Sequence, residues 1–517
     1  MQTRSFVSFI TVAAIAAASI NACSSKNNGS EPQVNENQDG GGGGDGGLGG
    51  FMTPGNGGDG GISTPIPCAT GCTVATCTAG GSTTITGVVY DPKGADPVYN
   101  VQVYVPSSAL PTFSPGASCG SCGDLYPSNV IATAATGTNG SFILKGAPNG
   151  TNIPLVIQIG KWRRQYTIPT VAPCVANAAP TLRLPADSSE GDLPDIAIST
   201  GGLDSLECLP LRMGISASEY IPGAGTSGHI HIFTGGAPNT STQGAVTENP
   251  TTSPQANTNL WDGPEDLLKN DVVLFSCEGA PTAYLSGSAG PANLMQYVNN
   301  GGRVFASHYH FAWLTETDVT PANPFATVTP PLATWSNLTN SAILNDNVSF
   351  PTDIVTTLAN GNPFPEGVAL KAWLGNVDAL DSSGKLDVYY ARDNSDVTAT
   401  NTNSQAWAAL DPSVASSYPQ TTSAPTQYFS FDTPIGTGAG EQCGRFVYSD
   451  LHVSGGPGVA AAGVTADYAS GSPYFVPEGC ATRALTPQEK ALEFMLFDLT
   501  SCLVPVGTMP MGLQQPQ

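Results

Sequence analysis

The hydrophobic rhythm of the chain changes four times. Phe6 to Ile20 is an apolar run behind Arg4, and from Ser24 to about Pro67 apolar side chains almost vanish among Gly, Asn, Asp and Ser. Between Thr83 and Pro185 short runs alternate, as in Thr84-Ile85-Thr86-Gly87-Val88-Val89-Tyr90, Val101 to Val105, Ser141 to Leu144 and Pro154 to Ile159. Turn residues separate them, among them Asp91-Pro92-Lys93-Gly94 and Thr138-Asn139-Gly140. A period of two with β-branched residues between such turns predicts a small antiparallel sandwich.

From Asp195 onward the apolar runs become continuous and alternate with helical spacing. Asp195 to Ser199, His229 to Phe233, Asp271 to Phe275 and Arg303 to Ala306 read as strands, and Leu206 to Met213 and Pro291 to Asn300 as helices. Strands alternating with helices predict a parallel sheet covered on both faces. A long polar, Pro-rich insertion at about 315–425 follows, after which Gln427 to Asp432 and Arg445 to Ser449 read as a closing hairpin. Thr486-Pro487-Gln488-Glu489 is a capping box with Pro at the first helical position, backed by the stripe Leu492, Met495, Leu496 and Leu499. The organisation predicted is a leader over 1–22, a tether over 23–67, an all-β sandwich over 68–190, a doubly wound α/β domain over 191–505 and a disordered tail over 506–517.

The leader has a positive start and an apolar stretch too short and too rich in small residues to remain as a membrane span. It ends Ile20-Asn21-Ala22-Cys23, which resembles the bacterial lipobox. That resemblance implies an exported protein anchored to a membrane by a lipid on Cys23, with Ser24 favouring the outer membrane. The alternative is an ordinary secretory signal with a cysteine near its cleavage site. The segment after Cys23 buries too little to offset the entropy of ordering, and as a Gly-rich coil of roughly forty residues it would reach about 35 Å.

Composition narrows the partners. With 17 Lys+Arg against 40 Asp+Glu the formal charge is -23, which argues against nucleic acid. Without Cys23 there remain Cys68, Cys72, Cys77, Cys119, Cys122, Cys174, Cys208, Cys277, Cys443, Cys480 and Cys502, an odd set that leaves at least one thiol outside disulfides. An oxidising compartment favours disulfides over a zinc knuckle for Cys68, Cys72, Cys77, Cys119 and Cys122, whose spacings are irregular.

Two resemblances follow from the quoted segments. Thr86 to Asp91, Val98 to Val103 and Thr138 to Phe142 resemble the carboxypeptidase regulatory-like domain, a non-catalytic sandwich related in shape to starch-binding-like modules; an insertion carrying Cys119 and Cys122 departs from it. The strands at 271–275 and 303–306, the helix between them, His308 and the late Gly444 to His452 are similar to the trehalose-utilisation-like branch of the class I glutamine amidotransferase-like, flavodoxin-like fold. With Gly160 to Gln165 and the closing helix, the order of segments resembles a set of bacterial lipoproteins that pair these two domains. The amidotransferase triad itself is missing, because the turn has Ala306-Ser307-His308 and His452 is followed by Val453-Ser454.

In a doubly wound sheet ligands bind beyond the carboxyl ends of the strands. Those positions hold Cys277 and Glu278, Ser307, His308 and His310, and Asp450 and His452. The candidate metal ligands are His308, His310 and His452, for a divalent ion such as zinc, with Cys277, Glu278, Ser307 and Asp450 lining the site. The resemblance places its two histidines at His308 and His452. The plainer reading makes strand histidines structural; it is preferred for His229 and His231, which alternate with Ile230 and Ile232. Cys277 reads as a disulfide partner or a buried thiol. Lys161, Trp162, Arg163 and Arg164 form a basic aromatic cluster that could grip a ligand or bridge the two domains.

The sequence expectation is therefore a lipid-anchored surface protein, a non-catalytic module for a glycan or protein ligand. The alternative is a metal-dependent hydrolase or isomerase acting on a sugar-like substrate. That alternative requires His308 and His452 to converge within about 2 Å of one point.

Overall fold

The structure, a computed structural model, describes residues 73–119, 127, 130–201, 203–223, 225–235, 255–256, 258–278, 285, 287–338, 348–413, 424–454, 475–477, 480 and 483–508. The leader, Cys23, the tether, Cys68, Cys72, Cys122 and the tail beyond 508 lie outside the described residues. No helix among the described residues is long and apolar enough to cross a membrane.

The described residues are mostly β-sheet with few helices. Two small four-stranded sheets come first. In one, Thr84–Tyr90 pairs antiparallel with Ser141–Lys145 and parallel with Ala176–Ala178 and Leu182–Arg183. In the other, Gln102–Pro106 lies between Val130–Ala135 and Gly150–Ile159, and Trp162–Val171 pairs along the whole of the latter. Their inward residues, among them Ile85, Val89, Val103, Phe142, Leu144, Leu155 and Ile157, share one core. The alternation read from the sequence places them there, since every second side chain of a strand falls on one face.

The large sheet runs Tyr220–Pro222, Ile230–Thr234, Ile196–Ser199, Val272–Phe275, Arg303–Ser307, Gly444–Ser449, Thr426–Thr433, Gln405–Leu410, Phe350–Ile354, Leu386–Val388. The first six strands are parallel. The last four continue antiparallel. The sheet is therefore mixed, and the expected hairpin is the join between its halves. Three strands of the antiparallel half come from the polar insertion, so that segment extends the sheet. Its Pro-rich connections hid these short strands from the periodicity.

Both faces of the large sheet are covered, as its continuous apolar runs require. Ile196, Ile198, Val272, Leu274, Phe305 and Val447 belong to one buried cluster. The alternate positions Ala197, Val273, Phe275, Val304, Ala306, Phe446 and Tyr448 belong to the other, with Leu294, Tyr297 and Val298 of helix Gly290–Asn299. That helix stops where Gly301 adopts φ +95° and where any Cβ on Gly302 would sit 2.4 Å from the Tyr297 ring. Leu206 to Met213, expected as one helix, is a 3-10 turn Leu206–Cys208 running into the short helix Leu209–Arg212.

The closing helix Pro487–Thr500 has the expected capping box. It is buried beyond its apolar stripe because the small sheets cover its other side. Phe494 stacks on Tyr99 and Phe497 meets Trp162 edge-on, each at 5.7 Å between ring centres. Disulfides Cys77–Cys174, Cys119–Cys443 and Cys208–Cys480 tie distant segments together. Cys77 and Cys119 are thus not zinc ligands, and Cys119–Cys443 links the small-sheet half to the large sheet.

Candidate metal centre

Three neighbouring strands of the parallel half end in the residues that matter. Val272–Phe275 runs into Ser276-Cys277, Arg303–Ser307 into His308, and Gly444–Ser449 into Asp450-Leu451-His452. His308 sits in the turn from its strand into the 3-10 helix His308–His310, with φ +37°. A non-glycine residue in that region is strained, and such strain gathers at functional sites. The sharp turn lifts the imidazole above the sheet edge, between its two neighbours.

The donor atoms converge. His452 Nε2 lies 3.0 Å from His308 Nδ1, and Cys277 Sγ lies 3.6 Å from the same nitrogen. Ligand atoms of the three residues all lie within 4.8 Å of one another. A tetrahedral zinc with Zn–N about 2.0 Å and Zn–S about 2.3 Å sets N–N at about 3.3 Å and N–S at about 3.5 Å. The spacing fits one ion shared by a thiolate and two imidazoles, a donor set suited to zinc or copper and not to magnesium or calcium. Among the described residues these three are the ones whose donor atoms come together.

The electrostatics agree. Cys277 and His308 are 0% exposed and His452 1%. Burial, with the positive charge of Arg392, holds both imidazoles well below their ordinary pKa. They are neutral, as ligands must be. The surrounding shell is built from buried polar groups. His308 Nε2 faces Asn394 Oδ1 at 3.2 Å, and Tyr448 OH donates to the His308 carbonyl at 2.7 Å. Asp450 Oδ2 accepts from the backbone N–H of Asn394 (2.7 Å) and Ser395 (3.0 Å). Burial pushes the Asp450 carboxyl up to about 7 against those bonds.

His452 is held from the other side. Asp204 accepts from the N–H of Val453 (2.9 Å) and of Ser454 (2.8 Å). Gln488 of the closing helix donates to the carbonyls of His452 and Val453 at 2.8 and 2.9 Å, and the Tyr390 ring stacks on His452 at 6.0 Å. The His452 Nδ1 has no hydrogen-bond partner. Ser307 Oγ accepts from Cys277 N–H at 2.9 Å, and next to it Ser276 Oγ donates to Glu207 at 3.2 Å. Asp204, Glu207, Asn394, Tyr390, Tyr448 and Gln488 escaped the sequence reading. Only Tyr448 lay in a segment flagged for chemistry.

Of the histidines proposed as ligands, His310 does not join the cluster. Its Nδ1 faces the Ser307 carbonyl at 3.1 Å and its ring stacks on Phe275 at 5.3 Å, beneath the strand end. Cys277 takes the third place. Glu278 accepts from Ser199 Oγ at 3.5 Å, and Ser307 and Asp450 bond the backbone N–H groups of Cys277 and Asn394. His229 pairs with Glu219 at 2.6 Å and His231 with the Gly223 carbonyl at 2.7 Å, far from the centre. The basic aromatic cluster lies in the seam between the small sheets and the rest. Lys161 pairs with Asp271 at 2.5 Å, Arg163 with Asp192 and Arg164 with Glu190 at 2.8 Å each, and Trp162 is buried against Phe497.

No protein-family model matches the chain, and no curated protein matches it. Among solved structures it is similar to a ThuA-like protein from Bacteroides uniformis, at 10% identity and TM-score 0.26 over 50% of this chain and 81% of that one. It is also similar to a type II cohesin–X-dockerin complex chain from Acetivibrio cellulolyticus, at 14% identity and TM-score 0.15 over 24% of this chain and 78% of that one. Likenesses so distant say nothing of activity, and the chemistry follows from the cluster alone.

Proposed function

We propose that this is an exported lipoprotein, anchored to the outer membrane through Cys23. Its small sheets form a carboxypeptidase regulatory-like sandwich, and its large sheet is the core of an amidotransferase-like domain holding one transition-metal ion. The function proposed is metal-dependent hydrolysis or isomerisation of a sugar-like substrate. The observation that carries it is the meeting of Cys277 Sγ, His308 Nδ1 and His452 Nε2 beyond three adjacent strand ends. An ion held by these three ligands would, where substrate or water completes its coordination, supply a polarised carbonyl or an activated water. The chain's own part is to hold neutral imidazoles and a thiolate in place and to keep water away from the ligand bonds. Asp204 accepts backbone N–H groups on both oxygens, and Asp450 accepts two backbone N–H groups on Oδ2 and the Tyr448 hydroxyl on Oδ1, so both position ligands.

The other reading, a non-catalytic module for a glycan or surface protein, is favoured by the near-complete burial of all three ligands. An ion so enclosed would lock three strand ends together and leave recognition to the surface. Loading the protein with zinc and screening aldose–ketose interconversion and hydrolysis of sugar esters and N-acetyl sugars separates the two. Turnover that stops on chelation and returns with zinc supports the enzyme. Full zinc occupancy without turnover of any of these would remove it in favour of the binding module.

A further inference from the structure

The polar insertion supplies Asn394, a residue with no strand-end position and no place in the sequence reading, and its amide touches His308. The orientation of that amide is set by its other partners. Asn394 Nδ2 donates to the carbonyls of Ser336 and Asn337, each at 3.2 Å. The oxygen Oδ1 is therefore the atom left to face His308 Nε2 at 3.2 Å. An amide oxygen only accepts, so Nε2 must carry the proton, and a neutral imidazole then has a bare lone pair on Nδ1. Nδ1 is the atom that meets Cys277 Sγ and His452 Nε2.

We propose that Asn394 is a positioning residue that fixes the tautomer of His308 and aims its Nδ1 lone pair into the cluster. The proposal rests on the metal reading for its purpose, though not for its geometry. Asn394 is fully buried, and Asp450 Oδ2 grips its backbone N–H at 2.7 Å. Asp450 stands two residues before His452 in sequence. One carboxylate thus ties the insertion that orients the first imidazole to the segment that carries the second. Ligating histidines commonly donate their far N–H to an oxygen that fixes ring and tautomer, and loss of that oxygen costs about 10–100-fold in metal affinity.

The test is long-range 15N–1H NMR on the metal-free protein labelled in histidine, which reads which ring nitrogen of His308 bears the proton, with zinc titration alongside. Two proteins are compared: the parent and Asn394→Leu, which removes the acceptor. The parent is expected to be the Nε2–H tautomer. The Leu variant should show a mixture of tautomers and bind zinc about 10–100-fold more weakly. A parent protonated on Nδ1 overturns the proposal whether or not the variant folds. So does a Leu variant with the parent's tautomer and zinc affinity. If neither protein binds zinc while the Leu variant alone loses the tautomer, the role of Asn394 stands and the metal reading falls.

Discussion

His452 Nε2 lies 3.0 Å from His308 Nδ1, although 144 residues separate them in the chain. Two buried imidazoles do not meet this way by apolar packing alone, because each must lose its hydration. What brings them together is the order of the sheet, in which Arg303–Ser307 and Gly444–Ser449 are neighbours in parallel register, Ser307 opposite Ser449. The same order sets Val272–Phe275, and with it Cys277, on the other side of His308.

The Asp204 clamp gives a stability prediction. Asp204→Ala leaves the buried N–H groups of Val453 and Ser454 without their acceptor, at a cost of about 1–3 kcal/mol for each. Urea denaturation should show a lower midpoint, and zinc should bind more weakly because the His452 segment is loosened. An unchanged midpoint would mean that other groups hold that segment.

The seam between the small sheets and the closing helix predicts a separation of stability from metal binding. Trp162→Ala empties a site that is 1% exposed and is expected to cost about 3–5 kcal/mol. Zinc affinity should stay at the parent's value. A drop in binding of a sugar or protein ligand larger than the loss of folded protein would instead give the Lys161 to Arg164 cluster a ligand role.

Buried carboxyls in that seam set the pH dependence. Burial and neighbouring acids push Asp91 and Glu366 up to about 7, and Glu493 is raised well above its ordinary range. Their folded pKa values exceed the unfolded ones, so their contribution is complete below the ordinary carboxylate range and is lost as pH rises through about 7. Glu219 and Glu489, which are lowered, act oppositely and lose stability only under acid. The melting temperature should therefore fall as pH rises from the ordinary carboxylate range to about 7 and level off above the folded values of Asp91 and Glu366. Asp91→Asn, which keeps an acceptor for the N–H groups of Ala95 and Asp96, should flatten that fall. A parent whose melting temperature rises over the same range would show that these groups do not govern it.

Lipid anchoring has its own check. Cys23→Ser is expected to move the protein from the membrane fraction to the soluble fraction of an expressing bacterium. Retention of the variant on the membrane would dismiss the lipobox reading.

Much of this was legible in the residues. Continuous apolar runs marked strands buried on both faces, and the polar residues just past them marked the edge where chemistry collects. The sequence could not separate His310 from Cys277. That choice depends on the backbone at His308, whose φ of +37° sends the next turn back under Phe275. Asn394 and Asp204 were illegible for another reason. Each acts on a residue far away in the chain, His308 across 86 positions and Val453 across 249, and no local period records such a contact. The insertion read as polar because its strands are short and Pro-flanked, yet it carries the group that orients His308.

Elemental analysis of the protein from residue 24 onward, purified with zinc available, against the Cys277→Ser/His308→Ala double variant bears most directly on the centre. One zinc per chain in the parent and none in a folded double variant is the predicted result. A parent without metal, or a double variant holding as much zinc as the parent, would contradict it.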